Sequence, residues 1–178
     1  DPIEMLDGDI VSIDVVIGHQ GMVVDSAQTV AVGTPSKVVK QLIHTAKQAL
    51  EAGIKAAQPG NRISDIGKAI EKVIPKGYGL VETFCGHGVG YDLHEDPIVP
   101  NFYIKGDSPE LLPGMVIAIE PMINMGKKEV RTASNGWDII TKDGLPSAHF
   151  EHDVAMIDGK AEILSTFDYV YEALGIKK

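Results

Sequence analysis

Two apolar, β-branched runs open the chain, residues 9–17 (DIVSIDVVI) and 22–32 (MVVDSAQTVAV), separated by Gly18-His19-Gln20-Gly21. Runs of this kind around a Gly-containing turn predict a β-hairpin, with His19-Gln20 as its two-residue loop. The period then changes. Thr34-Pro35 supplies an N-cap followed by proline at the first helical position, and Val38, Val39, Leu42, Ile43, Ala46 and Leu50 follow at helical spacing up to Pro59-Gly60. A second helix is predicted from near Ser64, with Ile66, Ile70, Val73 and Ile74 as its stripe, ending before Lys76-Gly77. Beyond it, short strand-like runs at 79–84, 115–123, 137–141, 147–157 and 161–165 alternate with turns such as Lys142-Asp143-Gly144 and Asp158-Gly159. The segment Phe167 to Leu174 reads as a short helix. The pattern predicts an α+β fold, a mostly antiparallel sheet with flanking helices, as a single domain over 1–178.

Polar positions inside the apolar runs carry the chemistry. Asp14 interrupts Ile13 and Val15, and Asp25 follows Val23-Val24. A lone buried carboxylate costs several kcal/mol unless it is paired or bound to a metal. With a His19-Gln20 loop the two aspartates are expected directly opposite each other on one face. No Lys or Arg lies in either strand to answer them. Glu120 ends the run Met115-Val116-Ile117-Ala118-Ile119, as a strand cap or a ligand. Glu151 sits in His149-Phe150-Glu151-His152-Asp153 at the entry to another apolar run. His19 and His44 are assigned to ordinary surface or core roles.

The segment Cys85-Gly86-His87-Gly88-Val89-Gly90 has three glycines in five residues, which lets the backbone bring His87 against other segments. It looks superficially like a phosphate-binding glycine loop, but His94-Glu95-Asp96-Pro97 follows instead of a helix. No helix N-terminus is available to hold a phosphate. Four carboxylates and one imidazole form a hard oxygen set plus one nitrogen, too negative for one ion. The set suits two divalent cations bridged by carboxylates, with manganese, iron(II), cobalt(II) or zinc all compatible. Paired ions of this kind point to hydrolysis.

Composition narrows the setting. The chain has 178 residues, 44% hydrophobic and 23% charged, with a formal net charge of −9. These values exclude disorder, collagen-like repeats and coiled coil. No apolar run reaches the roughly 18 residues of a membrane span. The acidic balance argues against a DNA-binding role. The single cysteine, Cys85, and a start without a basic-then-apolar signal pattern lead to the expectation of a cytoplasmic protein.

On these residues the sequence resembles the type I methionine aminopeptidases of the pita-bread metallopeptidase family. The matching stretches are Gly8-Asp9-Ile10-Val11-Ser12-Ile13-Asp14, Cys85 to Gly90 followed by His94-Glu95, Pro113-Gly114-Met115 through Glu120-Pro121-Met122, and Phe150-Glu151-His152. Val24-Asp25-Ser26 departs mildly from the family's Gly-Asp-Thr or Gly-Asp-Ser. The resemblance implies a cytosolic hydrolase that removes the initiator methionine from nascent chains, with the ribosome as a possible neighbour and no membrane partner. It implies that Asp14 and Asp25 hold one ion and His87 and Glu120 the other, with Asp25 and Glu151 bridging. Glu120 is then the proton shuttle. His94 hydrogen-bonds the scissile amide or stabilises the tetrahedral intermediate. Trp137, the single tryptophan, matches a residue near the methionine pocket, or is an ordinary core or surface aromatic. Cys85 is read as packing.

Two alternatives stand beside this reading: a non-catalytic binding module of the same fold, and an Xaa-Pro-specific peptidase. The spacing from Gly90 to Pro97 follows the methionine enzymes rather than the latter. The family also carries a further segment ahead of its first aspartate motif. The 178 residues are therefore expected to form an N-terminally truncated, metal-bearing portion, with weak or absent activity by itself, and either monomeric or paired with the missing fragment.

Overall fold

The computed structural model describes residues 3–175. The apolar opening runs form β1 (Ile10–His19) and β2 (Met22–Ala31), paired antiparallel over their full length. Their turn is Gln20-Gly21, one residue later than expected, with φ of 50° and 80°. A turn with two positive φ values matches the right-handed twist of the strands, and Gly21 takes its share without a Cβ penalty. The register therefore pairs Asp14 with Ala27 and Asp25 with Val16. The two aspartates are diagonal rather than opposite, but they remain on one face because the shift is two residues.

Two helices follow. In α1 (Lys37–Ala56) the N-cap is Ser36 rather than Thr34, and its hydroxyl accepts the Val39 N–H. The Thr34 N–H is instead taken by the Asp7 carboxylate. Helix α2 (Ile63–Val73) begins one residue before Ser64, where the Asp65 carboxylate accepts the Arg62 backbone N–H. Leu42, Ala46, Ala49 and Leu50 of α1 pack with Ile66 and Ile70 of α2, all fully or almost fully buried. Each large aliphatic side chain removed from water here is worth about 1.5–3 kcal/mol.

The helices lie against the remaining sheet structure. The strands are β3 (Gly79–Leu80), β4 (Gly86–Gly88), β5 (Glu95–Val99), β6 (Val116–Ile119), β7 (Met122–Asn124), β8 (Val130–Thr132), β9 (Ile139–Thr141), β10 (Ser147–His149), β11 (His152–Ile157) and β12 (Lys160–Ile163), and α3 (Asp168–Ala173) ends the order. A five-stranded sheet runs β12-β11-β6-β4-β5 and a three-stranded sheet β10-β7-β3, with β8-β9 a separate hairpin. Every pairing is antiparallel, as predicted. Among the described residues no helix is long and apolar enough to cross a membrane.

The runs 115–123 and 147–157, expected as single strands, are each split in two. Ile119 pairs with His152 on one side of the break and Met122 with His149 on the other. The register carries through, so Glu120 faces Glu151 across a gap in the ladder. Pro121, which has no N–H, helps to open that gap. The chain crosses from one sheet to the other at these two points.

The glycine-rich segment, read from sequence as a loop, is strand β4, with β6 on one side and β5 on the other. A Cβ on Gly86 would stand 2.1 Å from the Ala118 carbonyl oxygen, and one on Gly88 would stand 2.3 Å from that of Asp96. The glycines are there because neighbouring backbone occupies the space of a side chain. Gly86→Ala or Gly88→Ala is expected to lower stability by about 1–3 kcal/mol, the cost of overpacking. At Gly18, where nothing lies within 4 Å of a built Cβ, alanine should change stability by less than about 1 kcal/mol. Urea denaturation midpoints compared at constant slope provide the measurement.

Candidate metal centre

Hairpin β1–β2 is docked on the seam between the two sheets by backbone bonds. The Glu151 N–H donates to the Ala27 carbonyl at 2.8 Å, Gln28 bridges to Phe150, and the Val23 N–H reaches the Gly90 carbonyl at 2.7 Å. Ser26 Oγ adds a bond to the Glu151 carbonyl. These contacts bring residues more than a hundred positions apart into one cluster. Asp25, His87 and Glu151 each offer a ligand atom within 4.8 Å of the others, and all three are buried. Glu120 lies beside them, with Oε1 at 3.4 Å from His87 Nε2. Asp14, on the exposed strand β1, adds its negative charge to Asp25, Glu120 and Glu151.

The electrostatics of this arrangement are unfavourable without cations. Burial pushes Glu120 up to about 8, with Asp25 and Asp14 adding to the rise. Burial pushes Glu151 up to about 10, helped by Glu120, Asp25, Asp14 and Asp153. Asp25 is also raised, by desolvation first and then by Asp14. Its Oδ1 is buried with no partner. The donor chemistry fits divalent cations: oxygen ligands, one nitrogen and unbalanced negative charge. His87 is prepared for that role. Its Nδ1 lies 3.0 Å from the Gly88 carbonyl, which can only accept, so the proton belongs on Nδ1 and Nε2 presents a lone pair.

Two buried groups escaped the sequence reading. Asp153, fully buried, accepts the Asp25 backbone N–H on Oδ2 at 2.8 Å, and burial lifts its pKa to about 6. Its signal was the one that marked Glu151, a carboxylate at the entry to an apolar run. The other is His149, whose Nε2 is 3.9 Å from Glu120 Oε2. His152, the second imidazole flanking Glu151, turns away. Its Nδ1 meets Ser165 Oγ at 2.7 Å and its ring stacks on Phe167 at 3.9 Å. Strand alternation separates them, since 149 and 151 share one face while 150 and 152 take the other.

Of the remaining residues singled out from sequence, His94 packs edge-on against His87, ring centroids 4.3 Å apart. Trp137 is not brought to the cluster: it is 85% exposed, in the turn between β8 and β9. The Cys85 thiol is pushed up by burial and by Glu120, which makes it a poor nucleophile and fits packing. A cavity of about 320 Å³ adjoins the cluster; Asp14, Glu120 and His149 line it together with Val81, Phe84, Met122 and Ile139.

A carboxylate-rich cluster with an imidazole, set where antiparallel sheets meet, has the donor chemistry of a candidate hard-metal centre. The chain matches metallopeptidase family M24 over residues 2–158 and belongs to that family. It is 44% identical over 163 residues to a methionine aminopeptidase of Clostridium perfringens, with 91% of this chain and 66% of that protein covered. The crystal structure of methionine aminopeptidase from Thermotoga maritima is similar, with a TM-score of 0.85 and 40% identity over 89% of this chain and 64% of that one. A prolidase from Pyrococcus furiosus, at 24% identity and TM-score 0.67 over 89% of this chain and 42% of its own, shares the fold. The fold is thus the pita-bread fold expected from sequence. The chain spans just under two thirds of the length of these methionine aminopeptidases.

Linkage gives the pH dependence its sign. Glu120 and Glu151 bind protons more tightly folded than unfolded, since each lies above its ordinary 4.5. Their contribution to metal-free stability is whole below that value. It is lost as pH rises toward about 8 for Glu120 and about 10 for Glu151. Cations that replace those protons should stabilise more at higher pH. The rise in Tm on adding Mn(II) or Co(II) is expected to be larger near about pH 8 than near about pH 5.5. Thermal melts with and without metal check this, and an increment that is flat or falls with pH contradicts it.

Proposed function

We propose that the protein is a metal-dependent aminopeptidase that removes N-terminal methionine from polypeptides by hydrolysis. The observation that carries this reading is the cluster of Asp25, His87 and Glu151 with Glu120 beside it, next to a largely apolar cavity that Asp14 and Glu120 also line. Asp14 and Asp25 would hold one divalent ion and His87 and Glu120 the other, with Asp25 and Glu151 shared between them. Manganese, iron(II), cobalt(II) and zinc all suit this donor set. When bound, such ions lower the pKa of a shared water and polarise the scissile carbonyl.

The chain's own groups supply the rest. Glu120 takes a proton from the attacking water and returns it to the departing amine, a role suited to a carboxyl held between His87 and His149. His94, exposed beside His87, donates a hydrogen bond to the scissile amide and steadies charge that develops there. The cavity walls of Val81, Phe84, Met122 and Ile139 take the unbranched, apolar methionine side chain. Its volume lies at the lower end of the roughly 300–1,000 Å³ usual for ligand pockets. Trp137 stands on the hairpin whose Val130 and Ile139 line that cavity, and is assigned to the rim. Nascent chains in the cytoplasm are the corresponding substrates.

Chain loaded with Co(II) or Mn(II) should release methionine from Met-Ala-Ser and leave Xaa-Pro peptides intact. Elemental analysis should find close to two ions per chain. Glu120→Gln is expected to reduce kcat by about 10²–10⁴, the usual worth of a positioned acid-base group. His94→Ala should lower kcat with little change in metal content. Fewer than one bound ion per chain after loading would rule out this function, and preferential cleavage of Xaa-Pro would reassign it.

A further inference from the structure

Glu120 is bracketed by two imidazoles: His87 Nε2 stands 3.4 Å from Oε1 and His149 Nε2 stands 3.9 Å from Oε2. The two rings are not equivalent. His87 has its Nδ1 proton committed to the Gly88 carbonyl, which leaves its Nε2 as a lone pair. His149 Nε2 is buried and has no hydrogen-bond partner. Leaving such an atom unsatisfied forfeits its solvation without a compensating bond. The group near enough to satisfy it is the Glu120 carboxylate, and about 1 Å of closure reaches a normal N–H···O distance.

The backbone of His149 is held as though its side-chain direction matters. Thr29 Oγ1 donates to the His149 carbonyl at 2.9 Å and accepts the His149 N–H at 2.8 Å. Ser12 Oγ lies 2.7 Å from the same hydroxyl. With both Thr29 lone-pair and proton roles engaged by His149, Ser12 is the donor in that contact. One serine and one threonine of hairpin β1–β2 thus fix the strand position from which the ring reaches the seam. The same hairpin carries Asp14 and Asp25.

We infer that His149 is a positioning residue for Glu120. Its neutral ring carries the proton on Nε2 and donates it to Oε2, which turns Oε1 toward His87 and the ion site. The opposite tautomer would set a lone pair against an ionised carboxylate oxygen, two acceptors facing each other in a buried space. The inference rests on the reading of Glu120 as a metal ligand. It goes beyond that reading by assigning the role of each carboxylate oxygen and by naming the group that enforces it.

The test compares Co(II) binding by titration calorimetry and by visible absorption in the wild type, His149→Gln and His149→Leu. A glutamine amide places an N–H near the position of Nε2, whereas leucine supplies none. His149→Leu is expected to weaken Co(II) binding by about 10- to 100-fold, the usual cost of removing a group that orients a ligand, and to alter the Co(II) absorption bands. His149→Gln should stay close to wild type in both. Should the leucine variant fail to fold, His149→Asn, whose shorter amide does not reach the Nε2 position, must show the same loss. Long-range ¹H–¹⁵N NMR of the Zn(II)-loaded chain should find the His149 proton on Nε2.

Equal affinities in wild type and the leucine or asparagine variant, or a proton on Nδ1, would overturn the inference while leaving the metal site intact. A wild-type chain that takes up no Co(II) would overturn the metal-site reading and the inference together.

Discussion

Four carboxylates share a space that lets few of them ionise at once. At separations like those among Asp25, His87 and Glu151, within 4.8 Å, a like-charge pair repels by about 3–4 kcal/mol at an effective dielectric near 20. Burial adds desolvation to that repulsion, which is why Glu120 and Glu151 hold protons far above the ordinary carboxylate range. Protons can relieve the strain, but divalent cations relieve it better and over a wider pH range. The surrounding architecture is understood most directly as a frame that holds this charge together. Two sheets meet where their ladders break, a hairpin is clamped across the break, and glycines let strand β4 press close.

The break itself does chemical work because of where it falls. Regular antiparallel pairing would tie up the backbone at Glu120 and Glu151 and send their neighbours alternately to the two faces. The register that puts Glu120 opposite Glu151 is continuous through the interruption, with β6 and β11 paired below it and β7 and β10 paired above. Asp153, one turn of the pleat further on, accepts the backbone N–H of Asp25 and so ties β2 to β11 beside the site. Ser12 and Thr29 do the same at β10. The polar bonds that dock the hairpin are therefore also the bonds that set distances between ligands.

Much of this was legible before any coordinates. The five proposed ligand positions stood out because each is a charged or imidazole group where apolar periodicity or a glycine cluster predicts burial, and burial without a counter-charge is costly. The helices were legible from the 3.6-residue stripe, and the hairpin from β-branched runs around Gly21. Other features were not legible. The register of the hairpin depended on which two residues turn, and His19-Gln20 and Gln20-Gly21 differ only in where positive φ is cheapest. Thr34 and Ser36 are both good caps and local pattern does not separate them; the structure has Ser36 Oγ accepting the Val39 N–H. Strand β4 was hidden because three glycines resemble a loop, and only the carbonyls of Ala118 and Asp96 explain them.

What the sequence determined alone is therefore the chemistry: a set of hard ligands inside apolar strands, in an acidic chain of α+β type. It could do so because burial and charge are properties of single residues and their near neighbours. What only the tertiary structure decided is which polar groups meet. His149 and His152 are equivalent in the local pattern, yet one faces Glu120 and the other stacks on Phe167. Trp137 stands at 85% exposure and Asp153 at none, a difference that their local surroundings do not reveal. These assignments depend on contacts between segments far apart in the chain, through the break at Glu120 and Glu151 and the hairpin docked across it. No local periodicity encodes such contacts.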